Sequence, residues 1–206
     1  MYLKRQKATT KLPIERKGTK YIARALSNVN NSVPLVIAVR DMLKLAKTTG
    51  EVKKMINQKM LKINWRIAKD YRESIQLFNL LEAGKIYFLS LLPTGKFVFE
   101  EAKHKDARLC KVIGKALLKN NQIQLNLHDG SNIISSNKIS IGDSLYLDSS
   151  GKIKKHVSLD KGREVKIISG KYSGSDAKVH SIEGKKVSLI INDKIALLEK
   201  GRVIAQ

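Results

Sequence analysis

The chain has 206 residues, of which 42% are apolar, so it can fold into one large domain or two to three small ones and is not wholly disordered. Forty lysines and arginines against 18 aspartates and glutamates give a net charge of +22, which indicates a polyanionic partner, either nucleic acid or an anionic membrane. No apolar run approaches the roughly 20 residues of a membrane span, the basic N-terminus lacks the apolar segment of a signal peptide, and a single Cys110 excludes an intrachain disulfide, so we expect a cytoplasmic protein.

The positive charge is concentrated towards the N-terminus. Residues 1–72 carry 18 basic and 4 acidic side chains, a net charge of +14, whereas the rest of the chain carries +8. A merely solubilising surface does not require this asymmetry, so nucleic acid is the favoured partner and a membrane is not. Residues 1–31 combine like charges with few apolar residues. They are predicted to form a basic arm without a core of its own that becomes ordered on a partner.

Residues 32–83 are predicted to form a small helical module that docks on RNA. Ser32 is expected to cap a first helix, and Thr48 and Glu51 have the spacing of a capping box that starts a second one. The following run "KMLKINWRIAKDY" indicates a hairpin that turns at 64–65. The alternative is an amphipathic helical hairpin whose polar face is rich in lysine without binding RNA.

The remainder of the chain is predicted to be β-structure. In residues 84–160, short apolar runs are separated by turn signals such as "PTG" and Asp129–Gly130, which predicts a small β-barrel-like domain. In residues 161–206, four to five short strands turn at positions such as Gly170 and Asp193, which predicts a second small barrel. The predicted fold class is therefore α+β, with a helical module followed by two small barrels.

No catalytic or metal-binding pattern is present in the sequence. The four histidines do not have metal-ligand spacing, and neither HExxH nor a phosphate-binding glycine loop occurs. The pair His128–Asp129 is better explained as part of a turn that ends at Gly130. Cys110 lies in an apolar strand, as expected of a packed core residue. We therefore expect a non-enzyme without a cofactor, a metal ion or a small-molecule substrate.

The segment "SGKYSGSDAKV" at residues 169–179 suggests a loop that approaches a phosphate backbone. Two glycines allow close approach, and Lys171 and Lys178 can pair with phosphates. Tyr172 could either stack on a base or cover the end of the barrel. The longer string "GREVKIISGKYSGSDAKV" resembles the KOW motif of ribosomal and transcription-elongation proteins, which predicts an SH3-like barrel. Ala177 stands where that motif usually has a glycine, and it would be strained if the position required a positive φ.

Strings spread along the whole chain resemble one family. They are "YLKR", "RKGTK", "PLVIAVRDML", "EVKKMI", "EEAKHK", "LCKVIGK" and "QLNLHDGSNI". In this order they resemble the archaeal–eukaryotic small-subunit ribosomal protein family called four-e, over essentially residues 1–206. The resemblance implies a basic arm, a helical-hairpin RNA module also found in bacterial ribosomal protein four, a central β domain and a C-terminal KOW barrel. It also implies binding to small-subunit rRNA beside neighbouring ribosomal proteins.

The chain departs from the family pattern at three places. The proline- and glycine-rich turn after the arm is replaced by "ALSNVNN", and "EEAKHKDARLC" contains extra residues. The hairpin of the RNA module has Asn64–Trp65 in place of Asp–Gly. Trp65 could therefore stack on an RNA base or fold back over the hairpin.

The residues predicted to bind rRNA fall into three groups. In the arm they are Lys4, Arg5, Lys7, Lys11, Arg16, Lys17, Lys20 and Arg24. In the helical module they are Arg40, Lys44, Lys47, Lys53, Lys54, Lys62, Trp65 and Arg66. In the KOW loop they are Lys171, Tyr172 and Lys178. Two rivals are an RNA-modifying enzyme, for which residues 84–206 supply no catalytic set, and a non-ribosomal or transcription-elongation KOW protein, which would leave the arm unexplained.

Overall fold

The computed structural model describes residues 2–102, 106–118, 122–135, 139–191 and 194–206. The chain divides into a first unit, residues 1–105, and a second unit, residues 106–206. Strands predominate in the described residues. The described α- and π-helical segments lie in the first unit, and short 3-10 helices span Arg5–Lys7 in the first unit and Lys200–Arg202 in the second. Helices and antiparallel strands thus both occur, but the fold is mostly β.

The first unit contains nine described strands. They are β1 (Leu3–Lys4), β2 (Tyr21–Ile22), β3 (Ser32–Pro34), β4 (Leu61–Ile63), β5 (Arg66–Ile67), β6 (Ser74–Gln76), β7 (Leu80–Ala83), β8 (Lys85–Leu91) and β9 (Phe97–Glu101). Helix α1 (Leu35–Ile37) continues as a π-helical turn (Ala38–Met42), and helix α2 spans Thr49–Asn57. The five-stranded sheet has the order β5-β4-β7-β8-β9, while β1 pairs with β2 and β3 pairs with β6.

Helix α2 begins at the predicted capping box. The Thr48 side chain accepts a hydrogen bond from the Glu51 backbone N–H, and the Glu51 carboxylate accepts one from the Lys47 N–H. The helix ends at Asn57, and Lys59, which follows the cap residue Gln58, has a positive φ of 59°. The backbone bonds from Lys59 to Ile56 and from Met60 to Met55 form a Schellman motif. A lysine therefore occupies the position at which glycine is usually found.

The expected cap at Ser32 is wrong. Ser32 lies in strand β3, fully buried, and its hydroxyl donates to the carbonyls of Ser27 and Asn28. Helix α1 starts after Pro34 instead, because proline has the fixed φ suited to the residue that precedes a helix and here has no N–H to satisfy. The side chain of Ser32 thus fixes the turn that leads into the sheet.

The turn at Asn64–Trp65 is confirmed, but the predicted domain boundary after residue 83 is not where the first unit ends. Asn64 and Trp65 both have positive φ values, 49° and 63°, as a two-residue hairpin turn requires. Strands β7 and β8 are joined by Gly84 alone, which has a φ of 77°. Residues 85–101 therefore extend the sheet of the helical module and do not begin the central domain.

The predicted arm packs on its own unit. Leu12 and Ala25 are buried, the Phe97 N–H donates to the Lys11 carbonyl, and the Leu26 N–H donates to the Arg72 carbonyl. The expectation that residues 1–31 lack a packed core is therefore wrong for residues 2–31. The hydrogen-bond partners Arg72 and Phe97 lie at a sequence distance that local composition does not reveal.

The second unit contains two five-stranded antiparallel sheets. The strands are β10 (Arg108–Leu117), β11 (Ile123–Leu127), β12 (Asn132–Ser135), β13 (Ser144–Leu147), β14 (Ile153–Val157), β15 (Glu164–Ile167), β16 (Asp176–Glu183), β17 (Lys186–Ile191), β18 (Lys194–Glu199) and β19 (Val203–Ala205). The central sheet has the order β12-β11-β10-β13-β14, and the C-terminal sheet has the order β18-β17-β16-β15-β19. The turn predicted at Asp193 lies outside the described residues.

Buried polar side chains organise the central sheet. Asp129, in the predicted turn, accepts hydrogen bonds from Arg108 and from the backbone and hydroxyl of Ser131. Lys111 is only 2% exposed, and its ammonium donates to the carbonyls of Lys200 and Val203, 2.5 Å away in each case. Burial lowers the pKa of Lys111 to about 8. The lysine therefore ties the central sheet to the turn before β19.

A β-bulge sets the inward face of the C-terminal sheet. Val165, Ile167 and Val179 are buried in one apolar cluster, and the register of β16 shifts between Val179 and Ser181. The extra residue lets Ile182 pack against the same cluster, although it lies an odd number of positions from Val179. Strict alternation would have placed one of these side chains in solvent.

Ala177 occupies an extended strand position, so the strain that a positive φ would have caused is absent. It pairs with Val165 and is 7% exposed. We therefore expect Ala177→Gly to lower stability by about 1–2 kcal/mol, because glycine adds unfolded-state entropy and removes a buried methyl group. Urea unfolding of the full chain measures this loss. Ala116→Gly, at an exposed strand position, is the control and should cost less; a gain in stability from Ala177→Gly would contradict the strand assignment.

Candidate nucleic-acid interface

A cleft of about 720 Å³ brings the arm and the helical module of the first unit together. Arg5 contributes from the arm, while Arg40, Lys44 and Lys47 contribute from the π-helical turn and the loop that follows it. The acidic residues that line the cleft are Glu15 and Asp41. The sequence assigned these cations to separate groups, and the fold places them around one concave surface.

Arg5 holds the arm in shape. Its guanidinium donates to the backbone carbonyls of Glu15 and Thr19 at 2.7 Å each and to the Thr19 hydroxyl at 2.8 Å. Gly18 lies against this group, since an added Cβ would stand 3.2 Å from the Arg5 Cζ. These partners are neutral, so the positive charge of Arg5 is not cancelled by a carboxylate.

Several other candidate cations have partners within the first unit. Arg40 forms a two-pronged ion pair with Asp41, Lys62 pairs with Glu82 at 2.9 Å, and Arg66 pairs with Glu73 at 2.7 Å. Lys11 donates to the Asn31 side chain, and partial burial lowers its pKa. These residues stabilise the fold, and contacts with phosphate would have to compete with the existing partners.

Nine candidate cations of the first unit are exposed and form no salt bridge with the residues that the structure describes. They are Lys4, Lys7, Arg16, Lys17, Lys20, Lys44, Lys47, Lys53 and Lys54. Lys44 has a positive φ of 55°, at the end of the π-helical turn. Residues other than glycine, asparagine or aspartate seldom adopt a positive φ. The backbone therefore accepts strain where a lysine lines the cleft.

A second cleft of the first unit, about 350 Å³, combines aromatic and basic side chains. Its aromatic residues are Tyr2, Tyr21 and Tyr71, and its basic residues are Arg5, Arg24, Arg40 and Arg72. The rings of Tyr2 and Tyr21 are 6.0 Å apart. Sequence reasoning selected none of these three tyrosines, although "KYIAR" and "KDYRE" place basic residues beside or near the aromatic ring, as such a surface requires.

The loop between β15 and β16 carries the candidate residues of the second unit. Gly170 and Gly174 both have positive φ values, 98° and 89°, which gives the loop its tight path. Tyr172 packs against the core of the C-terminal sheet, and the Lys171 ammonium lies 5.8 Å from the centre of its ring. This geometry fits the covering role of Tyr172. Lys178 is exposed on β16, opposite Glu164.

Trp65, the remaining candidate of the first unit, lines neither of the two clefts described above. Trp65 is half-buried at the hairpin turn, and its role in stacking stays a prediction. Burial raises the pKa of the Cys110 thiol to about 12, so the thiolate is scarce at neutral pH. Within the described residues, no group of three or more histidine, cysteine, aspartate or glutamate side chains is arranged to hold a metal ion. Among the described residues, no helix has both the length and the apolar character that a membrane crossing needs.

Comparison with known proteins identifies the family. The small ribosomal subunit protein eS4 of Methanocella arvoryzae is 33% identical over 189 residues, which cover 88% of this chain and 81% of that protein. The chain belongs to the eS4 family. The eS4 protein of Archaeoglobus fulgidus is 29% identical over 187 residues, covering 88% and 80%. The family model described as ribosomal family S4e matches residues 83–153.

A solved structure agrees with this family assignment at the level of fold. The crystal structure of the 30S ribosomal protein S4e from Thermoplasma acidophilum superimposes with a TM-score of 0.73. It covers 85% of this chain and 94% of its own, with 23% sequence identity. The resemblance to the four-e family is thus confirmed, and the fold of this eS4 family member is that of a known relative.

Proposed function

We propose that this chain is a structural constituent of the small ribosomal subunit that binds rRNA and supports assembly of the subunit. The observation that carries the proposal is the 33% identity to an eS4 protein along 88% of the chain. A match over 88% of the chain is longer than either unit and therefore extends into both of them. A shared RNA-binding module alone would not produce it.

The mode of binding that fits the surface is electrostatic. The nine exposed cations of the first unit would neutralise phosphates and release counterions, which provides affinity without reading a base sequence. Lys171 and Lys178 would add contacts from the second unit. Lys11, Arg40, Lys62 and Arg66 would chiefly hold the binding surface in shape, because each already has partners in the fold. Arg5 would hold the arm in shape and still present its charge to a phosphate, because its partners are neutral.

Four functional segments are proposed along the chain. Residues 1–31 would serve as the basic arm and residues 32–83 as the helical RNA module, with β8 and β9 supporting its sheet. The strands from 106 to 160 would form the central domain. Residues 161–206 would form the KOW domain, and the five-stranded antiparallel sheet with a glycine-containing loop between β15 and β16 supports this assignment. Neighbouring ribosomal proteins and a cytoplasmic location follow from the same proposal.

Co-sedimentation tests this function directly. A tagged full-length chain, expressed in an archaeal host, should sediment with small ribosomal subunits through a sucrose gradient and stay bound after a wash at moderate salt. Sedimentation with RNA polymerase and not with subunits would contradict the proposal and favour a transcription-elongation KOW protein. A chain that stayed at the top of the gradient, apart from both ribosomal subunits and RNA polymerase, would contradict both functions.

Lys44 provides a test of the interface at a strained position. We expect Lys44→Gly to raise the free energy of unfolding by up to about 1 kcal/mol, because glycine adopts the positive φ without a steric cost. The same change should weaken binding to small-subunit rRNA, since one cation of the cleft is lost. Urea unfolding and filter binding measure the two effects.

Lys59→Gly is the matched control for that experiment. Lys59 has a φ of 59°, is exposed, and lies outside the predicted interface. It should show a similar gain in stability without a comparable loss of rRNA affinity. Equal losses of affinity in the two variants would show that the cleft around Lys44 has no special part in binding.

A further inference from the structure

We propose that the second cleft of the first unit binds one unpaired nucleotide of RNA, with the base stacked on a tyrosine ring and the phosphate held by arginine. The proposal rests on the proposed function and specifies a site within it. Proteins usually recognise single-stranded RNA by stacking its splayed bases on aromatic side chains or guanidinium planes. The cleft supplies both kinds of group on neighbouring walls.

The size of the cleft suits a single nucleotide. Its volume of about 350 Å³ is at the lower end of the range of roughly 300–1,000 Å³ that is typical of small-ligand sites. Apolar side chains of Ile22, Ala23 and Val36 also line it. A flat base can therefore lie against apolar and aromatic groups, whereas a base-paired helix is too wide to enter.

The tyrosine rings are accessible. Tyr2 is 76% exposed and Tyr21 is 47% exposed, an arrangement that leaves large aromatic surface in water. The Lys53 ammonium lies 4.9 Å from the centre of the Tyr71 ring, and the Arg72 guanidinium lies 5.5 Å from it. An exposed cation–π contact strengthens an interaction only about two- to fivefold. Stacking of a base contributes about five- to 150-fold, so a base can displace a cation from the ring.

The charge of the cleft favours a phosphate. Four arginines line it, and none of its described lining residues is an aspartate or a glutamate. Arg40 and Arg72 are paired with Asp41 and Asp70 outside the lining, so their charges are largely compensated. Arg5 makes its three hydrogen bonds to neutral groups and has five N–H donors in all. Two donors and a full positive charge therefore remain for a phosphate oxygen.

Two short RNAs separate base binding from backbone binding. A fluorescein-labelled adenosine hexamer and an abasic hexamer with the same phosphates are titrated with the full-length chain at low salt, and anisotropy gives the affinities. We expect the adenosine hexamer to bind at least about fivefold more tightly. Tyr71→Leu and Tyr21→Leu should reduce its affinity towards that of the abasic hexamer and leave the abasic hexamer unaffected. Tyr71→Phe, which keeps the ring, should retain the preference.

Tyr87→Leu is the control, because Tyr87 is a half-buried tyrosine of β8 in the same unit and does not line the cleft. It should leave both affinities unchanged. Equal binding of the two hexamers, binding of neither, or an equal loss for both RNAs in Tyr71→Leu would overturn the nucleotide site. Such a result would not affect co-sedimentation with small subunits, so failure here is distinguishable from failure of the ribosomal role.

Discussion

Binding of the chain to small-subunit rRNA should weaken by about 10³- to 10⁵-fold between 50 and 200 mM monovalent salt. The reason is that each phosphate contact releases counterions and adds roughly 0.7–0.9 to the slope of a log–log salt plot. If the nine exposed cations of the first unit all make contacts, the slope should be about −6 to −8. Filter binding across a salt series measures it.

The structure predicts a less steep salt slope than the sequence alone does. Lys11, Arg40, Lys62 and Arg66 were also predicted to neutralise phosphates, but each has a partner in the first unit. A group that already forms an ion pair or is partly buried releases fewer counterions on binding. A slope far steeper than −8 would therefore show that these internal pairs open on RNA.

Paired variants locate the contacts that set the slope. Arg16→Gln combined with Lys17→Gln removes two exposed cations of the arm and should reduce the magnitude of the slope by about 1.4–1.8. Lys152→Gln combined with Lys154→Gln, on exposed residues outside the predicted interface, should leave it unchanged. A nearly flat salt response of the unmodified chain would contradict electrostatic binding and favour base readout or a protein partner.

Local signals in the sequence were sufficient for the elements that are stabilised locally. Thr48 and Glu51 define the start of α2 because the cap is made by side chains three residues apart. Asn64–Trp65 and Asp129–Gly130 were recognised as turns for the same reason. In contrast, Lys59 follows the end of α2 with a positive φ, at a position where glycine is usual. Because glycine is absent there, the sequence does not predict this helix end.

The features missed by sequence reasoning depend on distant partners. The arm looked unable to pack, because its backbone hydrogen bonds to Arg72 and Phe97 join residues that lie far apart along the chain. The same limit applies to the candidate site. A run of basic residues predicts phosphate binding, but only the fold shows that Lys62 faces Glu82 and that Tyr2, Tyr21 and Tyr71 share a cleft.

Removal of the Asp129 carboxylate should be the most destabilising single change considered for the second unit. The Asp129 side chain is 2% exposed, and its partner Arg108 is 12% exposed. Besides Arg108, it accepts hydrogen bonds from the backbone and hydroxyl of Ser131, at 3.0 and 2.6 Å. Asp129→Ala leaves a nearly buried guanidinium without a counter-ion, which costs about 3–5 kcal/mol in the free energy of unfolding. Urea unfolding followed by circular dichroism measures the loss.

The destabilisation caused by Asp129→Ala should decrease as the pH falls into the strongly acidic range. Burial by itself would raise the pKa of Asp129, but the charge of Arg108 and the hydrogen bonds from Ser131 outweigh it and hold the pKa below its ordinary value of 3.8. The stabilisation is therefore complete above pH 3.8 and is lost as the pH falls through the lower pKa of the folded state. The difference between the unmodified chain and Asp129→Ala should be full at pH 7 and smaller in strong acid.

A double-mutant cycle distinguishes loss of the ion pair from loss of packing. Asp129→Asn and Arg108→Leu should each be destabilising, because each leaves one buried polar partner without its counterpart. Together they should cost less than the sum of the two, with a coupling of about 1–3 kcal/mol, because the double variant leaves no unpaired charge. Additive losses would show that the two side chains stabilise the central sheet independently. In that case Asp129 would act through the turn that it forms with Ser131 and not through the guanidinium of Arg108.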